Sequence, residues 1–192
     1  MPPKKKFSKE KIVDIAFNLA KEKGIDNITA RNIAKKLKSS VVPIYHNFKD
    51  IEELKREIIK KIMYLYGSFT EMNFTDDKFL NIGIASIKFA NEYSNLFNDI
   101  IFNNSKYIKG YENDYVDEIV EVMKKDSNLS NFDGETLKDV FFKIRIFQTG
   151  LSTMIANGLL PKDFDEDKQI ELLKSFSKDL FYNLKLKRKD DN

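Results

Sequence analysis

Residues 29–54, TARNIAKKLKSSVVPIYHNFKDIEEL, decide the fold. Thr29 is suited to cap a helix, because its hydroxyl can accept from a free N–H of a first turn. Ala30, Ile33, Ala34 and Leu37 then recur at the spacing of one helical face. That helix is barely two turns long. Ser39 and Ser40 interrupt it, Ser40 is placed to cap the next helix, and Pro43 falls in that helix's first turn, where a missing N–H costs nothing. Ile44 and Phe48 turn the short third helix inward. Asp50, followed three residues on by Glu53, makes a capping box for a long fourth helix, whose apolar face is Ile51, Leu54, Ile58, Ile62, Leu65 and Phe69.

Upstream, Ile12, Ile15, Ala16, Leu19 and Ala20 follow i, i+3, i+4, i+7, i+8 between Ser8 and Gly24, which defines a first helix. Three helices, the second and third joined by a tight turn, match the helix-turn-helix plan, in which the last helix enters the DNA major groove. Downstream, Phe79–Ala90 is apolar on most sides and predicts a helix buried on most sides. Shorter helices are expected over Leu96–Phe102 and Asp114–Met123, set apart by polar stretches. Two long helices close the chain, from about Glu135 to Asn157 and from about Asp165 onward. The predicted architecture is all-α, with about nine helices. A helix-turn-helix domain with a basic arm occupies 1–50, a connecting helix 51–70, a larger helical domain 71–186, and a frayed tail 187–192.

Composition excludes several other classes. The 192 residues are 42% hydrophobic and 33% charged, with only 7 Gly and 4 Pro, which is neither disorder nor a turn-rich β protein. Having no Cys excludes disulfides, thiol nucleophiles and thiolate metal sites, and a single His excludes histidine metal clusters. Phosphate-loop, dinucleotide-binding and zinc-protease motifs are missing, so neither an enzyme activity nor a cofactor or metal is expected. No apolar run approaches the roughly 18 residues of a membrane span, and the N-terminal residues lack the apolar core of a secretion signal, so the expectation is a soluble cytoplasmic chain without membrane partners. The net charge of +3 hides a division. Through residue 66 the chain has 14 Lys and 2 Arg against 8 acids, a net +8, and from residue 67 onward it is −5. A basic end points to a polyanion partner, and Lys4, Lys5 and Lys6 form a candidate arm for the DNA backbone or minor groove.

At this point the residues become recognisable. Gly24, Thr29, Ile33-Ala34, Leu37, Ile44-Tyr45-His46-Asn47-Phe48-Lys49 and Leu54 resemble the DNA-binding segment of TetR-type (TetR/AcrR-like) transcriptional regulators over roughly residues 8–56. The resemblance implies a DNA-binding regulator with a divergent helical effector domain, a phosphate-contacting Tyr45 and a bundle of four helices at the dimer interface. Four positions depart from the family pattern: Lys38 stands where a Gly is usual, Ser39 replaces an apolar residue, Asn47 a His and Ile51 a Lys. The last change removes one expected phosphate contact, and Lys38 has to accept a positive φ if the turn keeps its form.

The chemistry of the side chains assigns candidate roles. Thr29 can cap its helix and hold a phosphate, Tyr45 can lay its ring on the core while its hydroxyl reaches a phosphate, and Lys49 can contact backbone without reading sequence. Base reading falls to Val42, Pro43 and His46, joined by Ser40, Val41 and Asn47: Asn47 suits adenine, while Val42 and Pro43 suit the thymine methyl, which predicts an A/T-leaning double-stranded operator. Two half-sites require a dimer, and the last two helices offer Phe147, Leu151 and Met154 on one and Leu173, Phe176 and Leu180 on the other. A small apolar or aromatic effector is expected among Phe89, Tyr93, Phe97, Phe102, Tyr107, Tyr115, Phe141 and Phe142, with Arg145 and Gln148 as polar partners. Its binding would release a repressor from DNA. The alternative is a helical small-molecule-binding or scaffold protein that has lost operator recognition through Ile51 and Asn47.

Overall fold

A computed structural model describes residues 7–102, 112–125 and 129–190. Among them are nine α-helices and no strand: α1 Lys9–Lys23, α2 Ala30–Leu37, α3 Val42–Asn47, α4 Ile51–Thr70, α5 Lys78–Glu92, α6 Ser94–Phe102, α7 Glu112–Lys124, α8 Gly134–Ala156 and α9 Glu166–Asp190. The caps follow the sequence closely. Ser8 accepts from Lys11 N at 3.2 Å, Thr29 from Asn32 N at 3.1 Å, and Asp50 from Glu53 N at 2.7 Å. One cap differs: α3 has Val41 rather than Ser40 at its start, with no side-chain cap. Val41 is itself helical (φ −73°, ψ −14°), so the turn begins one residue beyond the position Ser40 was expected to cap. At the other end α9 continues to Asp190, through most of the 187–192 segment read as a tail.

The chain divides into two compact units. The first holds α1, α2, α3, α4 as far as Ser68, and α6; the second holds the end of α4, α5, α7, α8 and α9. The placement of α6 departs from the sequence-based boundary, which put everything after residue 70 in the second domain. Its cause is visible in the hydrogen bonds at the end of α1. Asn95 Nδ2 donates to the carbonyls of Lys21 and Glu22, each at 3.0 Å, which would otherwise be orphaned at a helix C-terminus. Asp99, only 5% exposed, accepts from Ile25 N at 2.7 Å. Between them Gly24 adopts φ 79°, ψ 167°, a region essentially reserved for glycine, and a Cβ there would meet the Asp99 carboxylate at 3.4 Å. The apolar faces read from sequence are buried in this unit: Ile12, Ala16 and Ala20 on α1, Ile33 and Leu37 on α2, Ile44 on α3, and Leu54, Ile58 and Ile62 on α4.

In the second unit α5 packs on α7, α8 and α9. Four consecutive residues of α5, Ile84–Ile87, are buried, as expected for a helix covered on most sides. Gly83 makes the contact with α9 possible, since a Cβ there would fall 2.7 Å from Leu173 Cδ2. The buried hydroxyls of Ser86 and Ser152 pair at 3.3 Å between α5 and α8, which satisfies polar atoms that would be costly alone. Phe147 of α8 stacks on Phe176 of α9, with centroids 3.9 Å apart and rings 9° from parallel.

Candidate nucleic-acid interface

The turn between α2 and α3 keeps its form although it lacks glycine. Lys38 takes the left-handed conformation (φ 50°, ψ 46°), and Ser39 N donates to Ala34 O at 3.0 Å, closing the end of α2. Because Ile44 and Phe48 are buried, the opposite side of α3 faces outward. That face presents Val42, Tyr45 (54% exposed) and His46, with Ser40 and Val41 exposed just before it and Pro43 half-buried beside it. Thr29 and Lys49 are also exposed.

Asn47 is placed differently from its neighbours. It is half-buried, and its Nδ2 donates to Pro43 O at 2.7 Å and to Phe7 O at 3.3 Å, so both amide hydrogens are engaged by backbone. Glu53 organises the next turn: its Oε2 accepts from Lys49 N at 2.7 Å and its Oε1 lies 3.6 Å from Lys9 Nζ. The backbone hydrogen bond first, and the Lys9 charge after it, hold the Glu53 carboxyl below the usual carboxylate range. Arg31 and Lys35, both exposed, were not singled out from the sequence. Their signal was the i, i+4 spacing on the side of α2 opposite the buried Ile33, Ala34 and Leu37.

The residues expected to line an effector pocket are divided between the units. Phe89 and Phe141 are buried in the second unit, and Phe89 lies edge-on to Phe69 with centroids 5.5 Å apart. Arg145 and Gln148 are half-buried on α8, and Phe142 is exposed there. Tyr93, Phe97 and Phe102 belong to the first unit, where Phe97 is buried and Phe102 exposed. Tyr107 lies outside the described residues, as does the side chain of Tyr115 on α7. The second unit has an open cleft of about 480 Å³ walled by Phe69, Met72 and Phe74, with Lys88, Asn91, Glu92 and Glu166 as its polar side. Lys88 pairs with Glu166 and lies 5.4 Å from the Phe74 ring centroid.

Of the residues expected at a dimer interface, Leu151 and Leu173 are buried within the second unit, Phe147 and Phe176 stack on each other, and Leu180 packs on the core. Met154 is exposed. The other large apolar side chains exposed on these two helices are Phe142 and Ile146 on α8, and Leu172, Tyr182 and Leu186 on α9. Among the described residues no helix is long and apolar enough to cross a membrane.

Compared with known proteins, residues 12–58, from the first turn of α1 into α4, match the family described as bacterial regulatory proteins, tetR family. No curated protein gives a significant match to the chain. The matched segment spans the capped α2, its turn and the outward face of α3, on the basic end of the chain. Over residues 12–58 the chain is similar to the tetR family of bacterial regulatory proteins, and that similarity falls on its helix-turn-helix.

Proposed function

We propose that the protein is a dimeric repressor that holds an operator through α3 and releases it when a small, largely apolar or aromatic effector binds the second unit. The observation that carries this reading is the outward face of α3, where Val42, Tyr45 and His46 stand exposed at the end of the chain that bears the net +8. Val42 and Pro43 offer apolar surface to a thymine methyl, His46 offers a donor or acceptor to a base edge, and Tyr45, Thr29 and Lys49 offer polar groups to phosphates. Arg31 and Lys35 add charge on α2.

Two half-sites read by one protein require two copies of α3 related by a two-fold axis. The exposed apolar residues of α8 and α9 support a four-helix interface between copies: Phe142 and Ile146 fall one turn apart on α8, and Leu172, Tyr182 and Leu186 share a side of α9. For the effector, the cleft at Phe69, Met72 and Phe74 has the volume and apolar wall that small ligands use. Its position in the chain supports a regulatory role. Phe69 and Met72 follow the point where α4 leaves the first unit, and Asn91 and Glu92 precede the point where the chain returns to it at Tyr93. A ligand there lies beside two of the three points at which the chain passes from one unit to the other, and α6, just beyond the second, is bonded to the end of α1 through Asn95 and Asp99. Binding changes DNA affinity to the extent that it favours one arrangement of these elements over another.

The test is selection of duplex DNA from a random pool by the full-length protein, followed by affinity measurements over a salt series. A repressor of this kind yields one preferred, two-fold-related A/T-leaning sequence whose log affinity falls steeply with log salt. Weak binding that is indifferent to sequence overturns the reading.

A further inference from the structure

The polar side of the cleft in the second unit is uneven in what it leaves open. Asn91 Nδ2 donates to Ile87 O at 3.2 Å and to Gln169 Oε1 at 2.8 Å, and Gln169 is itself oriented by donating from Nε2 to Phe164 O at 3.0 Å. Two acceptors therefore fix the Asn91 amide with both hydrogens committed, and its Oδ1 has no donor among the described residues. Glu92, exposed at the end of α5, likewise has no cation paired with it among the described residues. The side chains of Asn91 and Glu92 thus offer the cleft acceptors and no donor.

The charged pair beside them is already satisfied. Lys88 Nζ bonds Glu166, and Glu166 stands in the first turn of α9, where the positive end of the helix favours a carboxylate. The same Nζ lies 5.4 Å from the Phe74 ring centroid, so this wall already accommodates one ammonium between a carboxylate and a ring. With Lys88 matched by Glu166, one lysine against two glutamates leaves the cleft a surplus negative charge, on Glu92. An anion entering the cleft would have to share Lys88 with Glu166 and sit near Glu92. A neutral apolar ligand would strip water from Glu92 and from Asn91 Oδ1 without replacing it, which costs free energy. A cation that carries N–H groups offsets this loss with charge-assisted hydrogen bonds, while its apolar body meets Phe69, Phe74 and the adaptable thioether of Met72.

We propose that the cleft takes an organic cation, a protonated amine or amidine whose N–H groups bond the Glu92 carboxylate and Asn91 Oδ1 and whose aromatic or aliphatic body lies on Phe69, Met72 and Phe74. This inference deepens the reading of the cleft as the effector site and rests on it. A quaternary ammonium keeps the attraction to Glu92 but has no hydrogen for Asn91 Oδ1, so it binds more weakly than a primary amine of the same skeleton.

The experiment uses the full-length protein and four probes built on one ring system: 1-naphthylmethylamine, its N,N,N-trimethyl derivative, 1-naphthylmethanol and 1-naphthoate. Calorimetric titration gives the affinity of each for the unaltered chain, for Glu92→Gln and for Met72→Ala. Both side chains are exposed, so neither replacement opens the core. The primary amine binds the unaltered chain most tightly, about tenfold ahead of the alcohol, the scale of one hydrogen bond to a charged group, and the naphthoate binds most weakly. Glu92→Gln removes that advantage and leaves the alcohol as it was, while Met72→Ala weakens amine and alcohol alike. An alcohol that matches the amine, a naphthoate that exceeds it, or an advantage of the amine that survives Glu92→Gln overturns the proposal. Binding of no probe, or affinities that Met72→Ala leaves untouched, removes the cleft as a ligand site and this inference with it. The effector reading has a separate readout, the affinity for the duplex that the protein selects from a random pool, which the saturating amine lowers. An amine that binds with the expected profile and leaves duplex affinity unchanged upholds the recognition chemistry and overturns the effector role of the cleft.

Discussion

Tyr45 and His46 are exposed neighbours on α3 to which the proposed reading assigns different contacts. Tyr45 follows the buried Ile44 and is 54% exposed. In the proposed reading its hydroxyl bonds a phosphate, which carries no sequence information. Tyr45→Phe is therefore expected to weaken binding roughly tenfold on every duplex alike, the scale of one hydrogen bond to a charged group. His46→Ala is expected to relax preference at one base position, at a cost of about 1–3 kcal/mol on the preferred sequence and little on others. Competition binding against single-base variants of the selected duplex separates the two, and a uniform loss from His46→Ala would exclude it as a reader. Lys38 is the opposite kind of residue, tolerated rather than used. At φ 50° a side chain costs about 1 kcal/mol relative to glycine, so Lys38→Gly is expected to raise the melting temperature by about 2–4 °C in a chain of this size. A lower melting temperature would mean that Lys38 has a compensating contact in the native turn. The positive φ was legible because the family's glycine is missing there, whereas the pairing of Asn47 with Phe7 O was not, because Phe7 is forty residues away and no local pattern points to it.

Among the elements, helix limits were legible wherever a cap and a periodic face fall within a few residues of each other, as at Ser8, Thr29 and Asp50. The affiliation of α6 was not, since it depends on bonds between residues some seventy positions apart. Asp99 answers a need of the first unit: the Ile25 N–H has just left α1 through the glycine turn and is buried. Asp99→Ala leaves this donor without its acceptor and is expected to cost about 1–3 kcal/mol, whereas Asp99→Asn keeps an acceptor oxygen and costs less. Amide exchange at Ile25 should accelerate in the alanine variant, and unchanged protection would show that the bond does not hold α6 in solution. The start of α4 gives a pH-dependent counterpart. The Glu53 carboxyl titrates below its ordinary value in the folded chain, held down by Lys49 N and Lys9. Its contribution is therefore complete above the ordinary glutamate range and is lost as pH falls through the folded value. Glu53→Gln is expected to flatten the acid limb of a plot of melting temperature against pH, and a parallel displacement of the whole curve would contradict this assignment.

At the scale of the whole molecule, charge and exposed apolar surface are segregated along the chain. The net +8 lies on residues up to 66, and the exposed apolar residues of α8 and α9 lie on the acidic remainder, where DNA contact is disfavoured. Periodicity proposes these two helices as the association surface, and of the residues it names Leu151 and Leu173 lie buried within one chain while Met154 is exposed. Leu151 and Leu173 have the spacing of an apolar face because they line the core of one chain, and periodicity alone does not distinguish a core face from an interface face. Only exposure separates them, and Ile146, 72% exposed in the middle of α8, is the sharpest probe. Ile146→Asp places a charge at the centre of the proposed interface without disturbing a buried contact. Sedimentation is expected to show a monomer with unchanged helicity. Operator affinity should fall by about 10²–10⁴, the avidity lost when two linked reading heads become one, while affinity for a single half-site stays as it was. Leu151→Ala provides the contrast, since removing a buried leucine costs about 2–5 kcal/mol of stability and leaves the exposed face intact, so the chain still dimerises below its lowered melting temperature. A dimer that survives Ile146→Asp with full operator affinity would move the interface away from α8.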